Sequence, residues 1–287
     1  MREGGGKKGR NDAEILMVHN TSFIKKLIFT GEGADDAGGV FDDTITEMCA
    51  ELENEVISLF SRTPNGAANS GFNQDKFLLN PSSTNHENLQ QYLFLGILMG
   101  VAIRTRKPLD IHLAPTVWTR LVSLPLHTSD IQNVDSLFIS SIKSLSNIDK
   151  SGVNAESFSN VIPIEKFHIQ NSNGTLQPIV PGGEDIKLTF SNRKVFSSYA
   201  LKFRMEESEE QIAAILEGIS YIVPVPLFRF MTGDALENWI CGKPEIDLNL
   251  LQKIVRYRDM DKTHYLVQWF WRIISRFTNE DRVALMR

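Results

Sequence analysis

Two thiols are the side chains in this chain best suited to covalent chemistry. A thiolate attacks a carbonyl or thioester and leaves again readily, which is the chemistry of acyl transfer. Cys241 is the tempting nucleophile, because it precedes a glycine at the start of the Gly/Pro segment Cys241-Gly242-Lys243-Pro244. It would need a base or an electropositive setting, and no histidine lies near it in sequence. Trp239 and Ile240 come just before it, so its neighbours read it as a buried structural thiol. Cys49 lies on the apolar face of a helical pattern and reads as core.

The other chemistry-bearing residues are dispersed. The six histidines (His19, His86, His112, His127, His168 and His264) form no HExxH and no paired Cys/His spacing, so no metal centre and no cofactor are expected. The acids Asp35, Asp36, Asp42 and Asp43 do not follow the alternate-oxygen pattern of a calcium loop, and a tight turn with a helix start explains them. Gly31 and Gly33 lack the third glycine of a dinucleotide fingerprint. Two distant cysteines build no disulfide framework, which fits a reducing, cytoplasmic setting.

The elements that must position these groups read as mostly helical. Hydrophobic residues make up 42% and charged residues 23% of the 287, as in a globular protein. The 30 Lys+Arg against 35 Asp+Glu leave a net charge of -5, which argues against a nucleic-acid partner. The longest apolar stretch, Leu93 to Ile103, is stopped by Arg104 and falls short of the about 20 residues of a membrane span. Residues 1 to 22 are Gly-rich and charged, and read as a disordered tail without a secretory signal. Phe23 to Phe29 is β-compatible, and Gly31 to Gly39 reads as a turn.

Ile45, Met48, Cys49, Leu52, Val56 and Leu59 repeat at helical spacing behind Asp42 and Asp43. Residues 61 to 80 carry turn chemistry and read as a short hairpin. His86 to Arg104 is the most apolar helix, and Gly96 and Gly100 give it a flat strip for close helix packing. Pro115 opens a further helix. Ile131, Val134, Phe138, Ile142 and Leu145 share one helical face. Short β runs broken by NG and PGG follow, so 129 to 191 reads as a small α/β insert. From Asn192 a long helix or helix pair runs to the Pro224/Pro226 break, and Thr232 or Asp234 caps a short helix ending at Cys241. The aromatic run Trp269-Phe270-Trp271 sits at helical spacing among Leu266, Val267, Ile273 and Ile274 and reads as core.

Several of these segments come in a fixed order: GEGADDAGGVFDDTITEMCAEL, FLGILMGVAIRTRKPLDIHLAP, FSNRKVF, ICGKPEID, HYLVQWFW and RFTNEDR. Together, from about Phe23 to Arg287, they resemble the HECT domain of ubiquitin-protein ligases, with the flavour of the large HERC ligases. The resemblance implies an α+β, mostly helical fold: an N-lobe over 23–241 with a small conjugating-enzyme-binding subdomain at about 129–191, a hinge at 242–245 and the beginning of a C-lobe over 246–287. It implies a two-step transfer, in which ubiquitin passes from a conjugating enzyme to a ligase cysteine and then to a substrate lysine. Lobe motion about Gly242, Lys243 and Pro244 would gate it.

In the family the nucleophile lies in a Thr-Cys-Phe-like motif beyond the RFTNEDR segment, and Cys241 matches the hinge instead. The expectation is therefore a chain truncated before its catalytic cysteine, inactive alone. It would dock a ubiquitin-conjugating enzyme through Phe138, Ser141 and Ile142, with Phe196 as a further aromatic contact. The expected partners are the conjugating enzyme, ubiquitin, and a protein substrate reached through upstream modules. On the truncation reading, Trp269, Phe270 and Trp271 would leave an apolar patch uncovered. Two alternatives remain open: a non-catalytic module that competes with intact ligases for the conjugating enzyme, and an enzyme that uses Cys241 itself.

Overall fold

Residue 86 begins the helix on which the rest of the body is built. In the computed structural model, which describes residues 39–54, 57–242, 246–258, 260–278, 281, 282 and 285, that helix runs over His86–Thr105. Asn85 caps it, its side-chain oxygen accepting from the Asn88 amide at 2.7 Å, and Arg106 ends it in the left-handed conformation. In chain order the elements are α1 (Gly39–Leu52), β1 (Phe60–Arg62), α2 (Pro64–Ala67), β2 (Phe77–Leu79), α3 (His86–Thr105), α4 (Pro115–Leu121), α5 (Thr128–Val134), α6 (Ser136–Ser146), α7 (Phe158–Val161), β3 (His168–Gln170), β4 (Leu176–Pro178), α8 (Arg193–Glu206), α9 (Glu209–Ser220), α10 (Gly233–Cys241), α11 (Leu248–Ile254) and α12 (Tyr265–Ile274). The strands form two separate antiparallel hairpins, β1–β2 and β3–β4. The fold is thus α+β and mostly helical, as the sequence indicates.

Two cores hold it together. The larger packs α3 against α9 and α10, with α4 against α9 and α10, around Tyr92, Met99, Trp118 and Leu236. The expected glycine strip is real. A Cβ at Gly96 would collide with the Ile215 carbonyl, and one at Gly100 would meet the Ile222 side chain. Gly218 of α9 answers from the other side, where a Cβ would collide with the Leu93 carbonyl. Glycines here let two backbones touch, which no side-chain packing permits. Arg120 of α4 grips Glu209 at the start of α9, its Nε donating at 2.8 Å. The Trp118 indole N–H, buried with its ring, donates to the Leu113 carbonyl.

The smaller core gathers Leu145, Ile148, Phe158, Phe167, Ile169, Ile179 and Leu188 with Phe196 and Ala200 of α8. It reaches past residue 191 into α8, while Val134 belongs to the larger core. Three readings change locally. The helix expected over 44–60, behind Asp42 and Asp43, begins by Gly39, contains both acids, and ends at Leu52, and Phe60 is already in β1. The single helix expected over 130–148 is two, broken at Asp135. The aromatic run is not core: Trp269 is 65% exposed and Phe270 and Ile273 are exposed beside it, whereas Val267 and Ile274 take the buried face. The expected tail, the Phe23–Phe29 strand and most of the Gly31–Gly39 turn lie outside the described residues.

His112 ties the end of α1 to the segment that leads into α4. Its backbone N–H donates to Glu53 Oε1 at 2.6 Å and its ring Nδ1 lies 3.1 Å from the same oxygen. The bond to Glu53 raises the imidazole pKa, and partial burial opposes the rise. A raised value means the folded state holds this proton more tightly than the unfolded chain does. The resulting stabilisation is full below the ordinary pKa of 6.5 and is lost as pH rises through the folded value. The melting temperature should therefore decline as pH rises above about 6.5, and Glu53→Gln should flatten that decline. An unchanged pH profile in Glu53→Gln would show that this contact does not carry the effect.

Candidate functional site

Asp135 shapes the site. Its backbone (φ -146°, ψ 77°) breaks the helical path between α5 and α6, and its carboxylate caps the new helix by accepting from the Phe138 amide at 3.0 Å. Asn65, a buried residue of α2, accepts from the Ser136 amide at 2.8 Å and so fixes the break to the body. Once α6 restarts in this direction, Ile139 and Leu145 point inward. Leu137 (61% exposed) and Ser141 face solvent, and Phe138 and Ile142 lie half-buried between.

That face forms one wall of an open groove of about 1770 Å³. Ile164 and Leu176, both exposed, stand on the small-core side, and Arg62 and Pro64 on the body side. The β3–β4 turn is fastened to the body by polar contacts. The Asn173 amide donates to Ser82 Oγ at 2.9 Å, and Asn171 donates to the same hydroxyl at 3.3 Å. An open apolar wall with scattered polar groups suits a protein loop better than a small molecule, which would be largely enclosed.

Three of the four expected docking residues, Phe138, Ser141 and Ile142, therefore meet on one groove wall. Phe196 does not join them. It is 0% exposed and packs edge-on against Phe167, ring centroids 5.2 Å apart at 90°. It sits on the inner face of α8 with Ala200, because that face closes the smaller core. This corrects the reading of Phe196 as a surface contact.

Sequence reasoning missed Leu137, Ile164 and Leu176, whose exposure no periodicity encodes. It also missed Arg204. That residue had a signal: Phe196, Ala200 and Arg204 are spaced four apart on one buried stripe, and a charge on such a stripe must be paired.

The thiols are set apart from this groove. Burial pushes the Cys49 thiol up to about 11. Burial, and then the Glu237 carboxylate, push Cys241 further up, and Lys76 only partly offsets them. The Cys241 Sγ donates to the Ile111 carbonyl at 3.6 Å. Both thiols are thus held in the protonated, weakly nucleophilic form. Gly242 ends α10 at φ 77°, a conformation that favours glycine, while Lys243 and Pro244 of the expected hinge lie outside the described residues. Among the described residues, no three His, Cys, Asp or Glu side chains gather as a metal site, and no helix is long and apolar enough to cross a membrane.

A helical body, a small α/β subdomain and a groove at their junction define the class. Residues 46–287 match the family model described as HECT-domain (ubiquitin-transferase), and the chain belongs to the HECT family. Among named relatives it is similar to the E3 ubiquitin-protein ligase HERC2 of Mus musculus, 36% identical over 273 residues that cover 95% of this chain and 5% of HERC2. It is 27% identical over 278 residues to the probable E3 ubiquitin-protein ligase HECTD4 of Homo sapiens, covering 91% and 7%. It is 24% identical over 300 residues to the E3 ubiquitin-protein ligase HACE1 of Xenopus tropicalis, covering 96% and 31%. The chain thus spans a small part of each of these proteins.

Proposed function

We propose that this chain serves ubiquitin transfer by docking a ubiquitin-conjugating enzyme in the groove walled by Phe138, Ser141 and Ile142, and that neither Cys49 nor Cys241 carries ubiquitin. The observation that carries the reading is the half-exposed apolar face of α6, held open to solvent by the break at Asp135. An apolar patch kept exposed at the cost of stability marks an interface. The burial of Cys49 and the partial burial of Cys241, with both thiols' pKa values pushed up, support the second half, since a thioester-forming cysteine must be accessible and ionisable. In this reading the full transferase reaction passes ubiquitin on to a substrate lysine, with lobe motion about Gly242, Lys243 and Pro244, and the groove supplies its conjugating-enzyme contact. The setting is cytoplasmic, in keeping with two unpaired thiols.

The test combines transfer and binding. The chain is mixed with activating enzyme, a panel of ubiquitin-conjugating enzymes and labelled ubiquitin, and resolved on a non-reducing gel, with binding followed in parallel on a biosensor. The expected result is no reducible adduct on this chain and measurable binding. Phe138→Ala or Ile142→Asp should weaken that binding at least about tenfold, the scale of a buried interface anchor. A ubiquitin adduct that disappears in Cys241→Ser would overturn the reading of the thiols. Binding untouched by both substitutions would overturn the groove. A chain that binds and also slows transfer by an intact ligase would favour the competing-module reading.

A further inference from the structure

Beneath Phe138, at the floor of the same groove, lies a nearly buried charge cluster. The Arg204 side chain is 6% exposed, with Asp135 at 8% and Glu207 at 6%. Arg204 Nη1 stands 3.5 Å from Asp135 Oδ2 and 3.6 Å from Glu207 Oε1, and Nη2 donates to the Gln170 carbonyl at 2.7 Å. Its guanidinium carbon lies 4.5 Å from the centroid of the Phe138 ring. Glu207 in turn accepts from the Ser172 amide at 3.1 Å, and Asp135 caps α6 through the Phe138 amide. One cation is thus fixed by α6, α8 and the β3–β4 hairpin together.

Buried charges return little net stability, because desolvation consumes most of their attraction. What such a cluster does supply is geometry. A planar cation against an aromatic face holds the ring in one orientation, and Phe138 lines the groove. We propose that Arg204 is a positioning residue for docking: it holds Phe138 in the orientation that the conjugating enzyme meets, without reaching that enzyme itself. This rests on the docking reading above.

The test is a double-mutant cycle between Arg204→Met and Phe138→Leu, which removes the ring but keeps an apolar side chain. Binding is measured to the conjugating enzyme that the unaltered chain holds most tightly, and melting temperatures are recorded for all four proteins. Arg204→Met alone is expected to weaken binding about five- to tenfold, the scale of a desolvated cation–π contact. In the Phe138→Leu background the same change should cost less than about twofold, because its action through the ring is gone. Arg204→Lys keeps the charge without the planar fork and should fall between. It serves as the arm to read if Arg204→Met does not fold.

A loss of equal size in both backgrounds would mean a general structural role and would overturn the proposal. So would unchanged binding in a folded Arg204→Met. If Phe138→Leu and Phe138→Ala both bind normally, the docking reading itself fails, and the positioning role falls with it.

Discussion

Gly218→Ala is expected to destabilise the chain by about 3 kcal/mol or more, a large share of the about 5–15 kcal/mol that holds a typical domain folded. Helix propensity alone predicts the opposite sign, since alanine in a helix interior is better than glycine by about 1 kcal/mol. The contact decides. A Cβ at this position would lie inside the van der Waals shell of the Leu93 carbonyl, and the obstacle is backbone of α3 that cannot rotate aside. Relieving it means prising α9 from α3, and these two helices form the centre of the larger core. Gly96→Ala should behave alike, as its Cβ would collide with the Ile215 carbonyl. Ala213→Val, on the exposed side of α9, supplies the control and should cost under about 1 kcal/mol. Thermal melting followed by circular dichroism checks the set. A Gly218→Ala protein that melts with the control would show that the two backbones can part without cost.

Phe196→Ala comes next in size, with an expected loss of about 3–5 kcal/mol from removing a fully buried aromatic ring. In a chain of this length that lowers the melting temperature by about 10 °C. Phe196 fills the smaller core against Phe167, and a void there has no side chain long enough to close it. The substitution also separates two roles that the sequence leaves superposed. A core residue should cost stability while leaving the affinity of the remaining folded protein for a conjugating enzyme within about twofold. A docking contact should do the reverse. Melting temperature and affinity measured on one preparation, below the transition, give the answer, and a large affinity loss with an unshifted melt would reinstate Phe196 as a surface contact.

Much of this architecture is legible in the sequence where local signals and tertiary demands agree. The helix expected at His86–Arg104 is found at His86–Thr105, because an asparagine cap precedes it and a long apolar run fills it. Thr232 caps α10 as its position suggests, accepting from the Ala235 amide. The glycine strip on α3 does meet a second helix. The failures have physical causes. Apolar periodicity runs unbroken through Asp135, so the pattern hides the break that a capping carboxylate creates. Aromatic spacing on α12 says which residues share a face but not whether anything covers it, and Trp269 remains exposed. The family resemblance implies a docking role for Phe196, whereas its burial follows from the inner face of α8. The groove was legible only in part: residues of α6 could be named, but Ile164 and Leu176 reach it through loops whose course no periodicity encodes.

The close approach of α3 and α9 at Gly96, against Ile215, and at Gly218, against Leu93, also bears on how this chain finds its fold. The two glycines are far apart in sequence, and the whole smaller core lies on the stretch between them. Bringing α3 and α9 together therefore closes a very long loop, whose entropic cost grows only as the logarithm of its length. If the intervening segment collapses first, the effective loop shortens and the closing search is easier. The arrangement favours an order in which the small subdomain forms early and the helical body zips shut around its two stems. The rate-limiting event would then be the meeting of two bare backbone surfaces, a step sensitive to every atom added at those glycines and indifferent to the groove residues.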